Sequence, residues 1–387
     1  ITVGSWAGMR KALMSSRQVA ARAGDSRSEA WALQSSAWHA FTRGDVQSAD
    51  ELSNHATDIF ASLGDRGGLA WTRGLQSWVA FHVGQWDRAR ELVASVLPEV
   101  RRRGDPWGES IMLNLQASLA LWSGSCRQAQ ELARQAQDVA AQADVHSVVI
   151  QSMALEGRAM VSLGRIDEGT ALLDRAFLTA ERLGDLNARR LAVISNCASA
   201  ARLGEPERAI RWAARFDEIH DNPAAVGETD LVVSVALALL QRGAVAEAAS
   251  QLDWSGEPSE GGGHYEDAVA AVLAVIQGHT AEAERAVQAV LRGPSTYLDR
   301  TLALAARAAA RHRRNDRPGT IEALTAARAE LQPTDDQTSR LLLDLVAALC
   351  GHGGVDEAQQ RLRSAGIDPT GWWTVWALAT ERRLADR

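Results

Sequence analysis

The stretch GQWDRARELVASVLPEVRRRGDPWGESIMLNLQASLALWSG, residues 84–124, carries a glycine at its start, middle and end: Gly84, Gly104 and Gly124. Glycine just past a helix end can adopt the left-handed conformation that closes the last turn. Asp105-Pro106 follows one of these glycines and places proline where a first helical turn tolerates it. The segments between breaks hold about seventeen residues, which suits helices of four to five turns. The stretch reads as two helices joined by tight turns.

The same punctuation extends in both directions. Gly4, Gly44, Gly84, Gly124, Gly164 and Gly204 lie at forty-residue intervals. Halfway between them fall Gly24-Asp25, Gly64-Asp65, Gly104-Asp105, Ala143-Asp144 and Gly184-Asp185. The Asp or Ser after each break is placed to cap the next helix, and Ser26 followed by Glu29 has the capping-box pattern. A fixed period of this length marks an array of stacked helix pairs. Small residues keep the same period. Seven before the turn glycine stand Ala37, Ser77, Ala117, Gly157 and Cys197, and five after it Ala49, Ala89, Ala129, Gly169 and Ala209. Two helices of a hairpin approach closely only where side chains are small, so these columns mark the crossings. Leu52, Leu92, Leu132, Leu172 and Trp212 supply a large apolar column beside them. One pair cannot bury such a surface alone, and its neighbours must stack on it.

These columns resemble the tetratricopeptide consensus at its small positions in the two helices of each repeat. The resemblance implies an all-α fold, a right-handed superhelix of stacked antiparallel helix pairs. The forty-residue period is similar to the longer-helix variant in the sensor region of large ATP-binding LuxR-type (maltose-activator-like) bacterial regulators. Residues 1–220 are expected to form regular forty-residue repeats and residues 221–387 shorter, less regular ones ending in a capping helix. In the second part the turns fall at Gly243, Gly278, Asn315-Asp316 and Gly353, and Ala236, Ala271, Ala248, Ala283 and Ala358 continue the small columns. Asp221–Glu228 and Ser255–His264 read as exposed loops. Trp372, Trp373 and Trp376 lie on a last helix, expected to cap the stack or to dock onto a further domain. Because the chain opens on Ile1 inside a repeat, it is expected to be a piece of a longer protein.

Composition narrows the function. Hydrophobic residues make up 46% of the 387, enough for an extended core, and a net charge of −7 argues against direct nucleic-acid binding, which needs a basic face. No apolar run is long enough to span a membrane, and no leader is visible, so the cytoplasm is the expected compartment. Lys11 is the only lysine and stands in no Walker loop, and no H-E-x-x-H zinc pattern occurs. Three distant cysteines make neither a disulfide framework nor a metal pair, and Cys197 falls in the small-residue column as core. The expectation is a binding module without catalytic residues, metal or cofactor.

Aromatic residues supply the candidate site. On the tetratricopeptide register Trp31, Trp38 and Phe41 of one first helix, and Trp71, Trp78 and Phe81 of the next, fall on groove-lining positions. Ile111, Leu121 and Trp122 extend this ladder, and Gln34, His82, Asn114 and Arg158 add polar points. The resemblance implies a peptide, protein segment or small-molecule effector in the groove, with an effector domain elsewhere. A core stripe is the alternative, since Trp at i and i+7 is a normal buried pattern. By function, the readings are a sensing part of a transcriptional or signalling regulator, or an interaction scaffold that does not switch.

Overall fold

The computed structural model describes residues 6–217, 228–253 and 264–381. They are helical almost throughout, and no strand occurs among the described residues. From the N-terminus run α1 (Trp6–Ala23), α2 (Ser26–Thr42), α3 (Val46–Ser62), α4 (Arg66–His82), α5 (Trp86–Arg103), α6 (Pro106–Trp122) and α7 (Cys126–Gln142). Then come α8 (His146–Ser162), α9 (Ile166–Leu183), α10 (Leu186–Leu203), α11 (Pro206–Asp217), α12 (Glu228–Gln241) and α13 (Val245–Asp253). The chain closes with α14 (Tyr265–Gln277), α15 (Thr280–Arg292), α16 (Tyr297–Arg313), α17 (Arg317–Leu331), α18 (Gln337–Leu349), α19 (Val355–Ser364) and α20 (Thr370–Thr380). Gly4 and most of the two expected loops lie outside the described residues.

The turn chemistry follows the glycine period. The break glycines from Gly24 to Gly204 have φ between +62° and +82°. At one of them the Gly44 N–H donates to the Phe41 carbonyl and the Asp45 N–H to the Ala40 carbonyl, satisfying groups that the helix end leaves open. Asp25, Asp45, Asp65, Asp105 and Asp185 then accept from backbone N–H groups in the first turn of the next helix.

Two details differ from the sequence reading. The Ser26–Glu29 capping box does not form, because Asp25 sits one residue earlier, directly after the left-handed glycine, and takes the cap itself. A capping box is instead closed by Thr296 and Asp299 at the start of α16. Between α7 and α8, Asp144 rather than Ala143 holds the glycine position, with φ +55°. Asp tolerates this region better than most side chains, and Val145 then stands at the cap without a capping bond. Asn315 plays the same left-handed part with φ +58°. After α18 the turn is longer, with Gly351 closing the helix and Gly353 leading towards α19.

The small columns are the crossing points. Ala37, Ala49, Ser77, Ala89, Ala117, Cys197 and Ala209 are fully buried. Where both partners are glycine, between α8 and α9, a Cβ on Gly157 would lie 2.9 Å from the Gly169 carbonyl oxygen. Each even-numbered helix also packs on the next even-numbered one, giving an inner layer from α2 to α18 with the odd-numbered helices outside it. The result is an all-α solenoid.

The array does not stay open. α18 reaches across to α8, and α20 lies against α12, α14, α16 and α18. Most buried apolar side chains from Ile150 to Ala379 consequently merge into one continuous core, while the N-terminal repeats hold several smaller clusters. In α20, Trp372 and Trp376 are buried and Trp373 is 42% exposed. No helix among the described residues is long and apolar enough to cross a membrane.

Candidate functional site

The inner layer lines a cavity of about 840 Å³ that is partly open to solvent, walled by residues of every even-numbered helix from α4 to α20 and, at one end, by Val46, Gln47, Asp50 and Glu51 of α3 and Arg88 of α5. Its position follows from the repeat. Two residues before successive turn glycines stand His82, Trp122, Ser162 and Arg202, and all four line the cavity. Six before come Arg158, Ala198 and Leu237, which line it too. The far wall is aliphatic and aromatic, with Leu302, Leu342, Leu343, Val346, Trp372 and Trp376. Such a size and such a mixed lining are those of small-molecule pockets.

A clasp of two adjacent aspartates closes the ring. Asp335 accepts from the Cys126 N–H at 2.6 Å and the Arg127 N–H at 3.0 Å, so it caps α7 from the other end of the chain. Its own N–H donates to the Gly124 carbonyl at 3.1 Å. Asp336, fully buried, caps α18 by accepting from the Ser339 N–H at 2.9 Å. The same carboxylate pairs with Arg202 of α10 and accepts from the Tyr297 hydroxyl at 2.6 Å. Arg202 donates further to Ser162 Oγ at 2.6 Å and Ser339 Oγ at 3.0 Å. Burial and the Asp336 charge hold the Tyr297 phenol well above its ordinary value, so it remains a donor. Two more bonds seal the seam: Thr338 Oγ1 donates to the Val161 carbonyl at 2.6 Å, and Trp372 Nε1 to the Arg202 carbonyl at 2.8 Å.

At the polar end of the cavity Arg158 of α8 faces Asp230 of α12, with Tyr265 and Asp299 beside them. Burial lowers the Arg158 guanidinium from its usual value, opposed by the charge of Asp230. Burial raises the Asp230 carboxyl, opposed by Arg158. Asp299 is raised to about 6 by burial, although the Thr296 N–H donates to it at 2.9 Å. The three cysteines are free and buried, and burial pushes the Cys197 thiol up to about 12, which suits packing rather than nucleophilic chemistry. No cluster suited to a metal ion occurs among the described residues.

The sequence-derived candidates divide. His82, Trp122 and Arg158 line the cavity. Gln34, Phe41, Phe81 and Asn114 are buried, Asn114 accepting from Ser152 Oγ at 2.7 Å. Trp31, Trp38, Trp71 and Trp78 are half-buried and stand outside the cavity lining. They form a continuous aromatic band with Trp107, which stacks on Trp71 at 4.4 Å and meets Trp38 edge-on at 5.9 Å. The band continues from Phe41 to His82 at 5.1 Å and from Phe81 to Trp122 at 4.4 Å, where it reaches the cavity rim. Asp230, Tyr265, Asp299 and the clasp were not among the candidates. Of these, Ser162 and Arg202 had a periodic signal, in the column of His82 and Trp122.

Compared with known families, the chain matches no family model, and no curated protein matches it in sequence.

Proposed function

We propose that this chain is a ligand-sensing module of the tetratricopeptide kind, working in the cytoplasm as the regulatory part of a larger bacterial transcriptional or signalling protein. It binds rather than catalyses, and its guest is a small molecule. The observation that carries this reading is the closure of the inner layer around one cavity of about 840 Å³. An open groove would accept an extended peptide; a groove crossed by α18 and α20 favours a compact guest. The clasp gives binding a route to a change of shape, because cavity-lining Arg202 and Ser339 are also members of the clasp. A guest that prefers one spacing of α10 and α18 shifts the population of closed molecules by its differential affinity.

The test is a thermal-shift screen of a small-molecule collection on the full chain, counter-screened on Leu302→Trp, which places an indole in the cavity and partly fills it. Compounds that stabilise the wild type and not the filled variant support the reading. Compounds that stabilise both alike place binding elsewhere and overturn it.

The half-buried band of Trp31, Trp38, Trp71 and Trp107 favours a second reading, a scaffold that holds a partner protein without switching. Clustered tryptophans are favoured anchors for partner segments.

A further inference from the structure

The cavity holds two opposite charges that do not neutralise each other by contact. Among the described residues no hydrogen bond or ion pair reaches the Arg158 guanidinium, and none reaches the Asp230 carboxylate. Both are cavity-lining, and each feels the other's charge. Elsewhere the fold closes such pairs. Arg202 meets Asp336 directly, and Arg307 meets Glu284 at 2.7 Å. Both side chains keep only partial exposure, into the cavity, and a charge largely withdrawn from water without a partner is costly, since buried charges are ordinarily paired. Leaving two of opposite sign facing one space is therefore a specific arrangement, and it has a specific complement.

We propose that the cavity takes a small zwitterion with an apolar body, of the α-amino-acid type: its carboxylate lies on Arg158, its ammonium on Asp230, and its apolar part against Trp372, Leu342 and Leu302. The assignment rests on the ligand-sensing reading above and adds the chemistry of the guest. A planar guanidinium is suited to grip a carboxylate through two parallel N–H bonds. Asp299 is a second carboxylate beside Asp230 and reinforces the cationic subsite, while the Tyr265 hydroxyl offers a further polar contact. An anion alone would satisfy Arg158 and leave both carboxyls facing an apolar guest. An amine alone would leave the guanidinium without a partner.

Calorimetric titration of the full chain with L-phenylalanine, 3-phenylpropionate and phenethylamine separates these cases, since the three share one apolar body. The zwitterion is expected to bind at least about ten-fold tighter than either single-charge analogue, a difference of about 1.4 kcal/mol. Arg158→Gln should remove the advantage of L-phenylalanine over phenethylamine, and Asp230→Asn its advantage over 3-phenylpropionate, each with helix content retained. The wild-type comparison stands even if a variant fails to fold. Equal binding of all three, or of 3-phenylpropionate and L-phenylalanine alike, overturns the zwitterion assignment and leaves the cavity as a ligand site. Binding of none of them by the folded wild type overturns the zwitterion assignment alone, since the cavity reading stands or falls with the thermal-shift screen.

Discussion

Asp335 caps a helix that begins 209 residues before it, accepting the backbone N–H of Cys126 at 2.6 Å. The residue preceding Cys126, Ser125, makes no side-chain capping bond of its own. The first turn of α7 is therefore completed by the far end of the chain. Asp335→Ala should cost about 1 kcal/mol, the usual worth of an N-cap. Asp335→Asn, which can still accept, should lose much less. Chemical denaturation of the two variants checks this, and equal losses would mean that charge rather than capping is at stake.

Arg202 and Asp336 form the buried half of the same clasp. Removing one partner leaves the other charged and without its contact, at a cost of roughly 3–5 kcal/mol. Arg202→Met and Asp336→Leu should each destabilise by about that much, and the double variant by clearly less than their sum. Small-angle scattering should show the single variants expanded. An unchanged radius of gyration would mean that the ring stays shut without the pair.

The Gly157–Gly169 crossing allows a sharper test of packing. Glycine to alanine in an exposed helix interior gains about 1 kcal/mol. At Gly169 the new Cβ would stand 2.7 Å from the Gly157 carbonyl oxygen, so Gly169→Ala should instead destabilise, by about 1–3 kcal/mol. Ala117→Leu should lose a similar amount, because Ala117 is fully buried at the equivalent crossing. A neutral or stabilising Gly169→Ala would mean that the two helices stand further apart.

The punctuation that builds these crossings was legible because it is local. A left-handed glycine, the Asp after it and a small residue seven positions away all act within one helix pair, and they recur with the pair. Asp144 shows the limit of reading by residue type: the forty-residue interval points to it, yet Ala143 looked the better substitute for glycine. The clasp was not legible. Asp335-Asp336 resembles any other helix start in sequence, and nothing near it names Gly124, Ser162 or Arg202 as partners. Asp230 and Asp299 escaped for the same reason, since they share one cavity with Arg158 only through the folding of distant helices. The aromatic ladder was visible as a period, but period alone could not say which rings meet the cavity and which meet each other.

His82 makes the N-terminal repeats sensitive to acid. Burial lowers its imidazole from 6.5 to about 4, so it is neutral in the folded chain where the unfolded chain would already bind a proton. Stability associated with His82 is thus fully present above pH 6.5 and lost as pH falls towards about 4. The slope is at most about 1.4 kcal/mol per pH unit in that window. Melting curves between pH 7 and 4.5 should fall less steeply for His82→Gln; parallel curves would remove His82 as the cause.

Trp38 and Trp78 test what the aromatic band does. Their rings contact Phe41 and Phe81 at 5.9 Å each, and neither lines the cavity. Trp38→Ala and Trp78→Ala should each cost about 2–4 kcal/mol, somewhat below a fully buried tryptophan, with helix content retained. Affinity for cavity ligands should stay within about two-fold. A large loss of that affinity with unchanged stability would put the two indoles in the binding groove.

Because Asp335 and Asp336 tie α18 to turns near Gly124, Ser162 and Arg202, this solenoid is no longer a one-dimensional object between those points. An open array frays from its ends, each repeat answering only to its neighbours. A ring has no such ends: loosening α9 or α13 also strains the distant seam. The described helices from α7 to α20 should therefore melt in one transition, with slow amide exchange in their buried faces. The helices before α7, which lie outside the loop, are left to open by themselves.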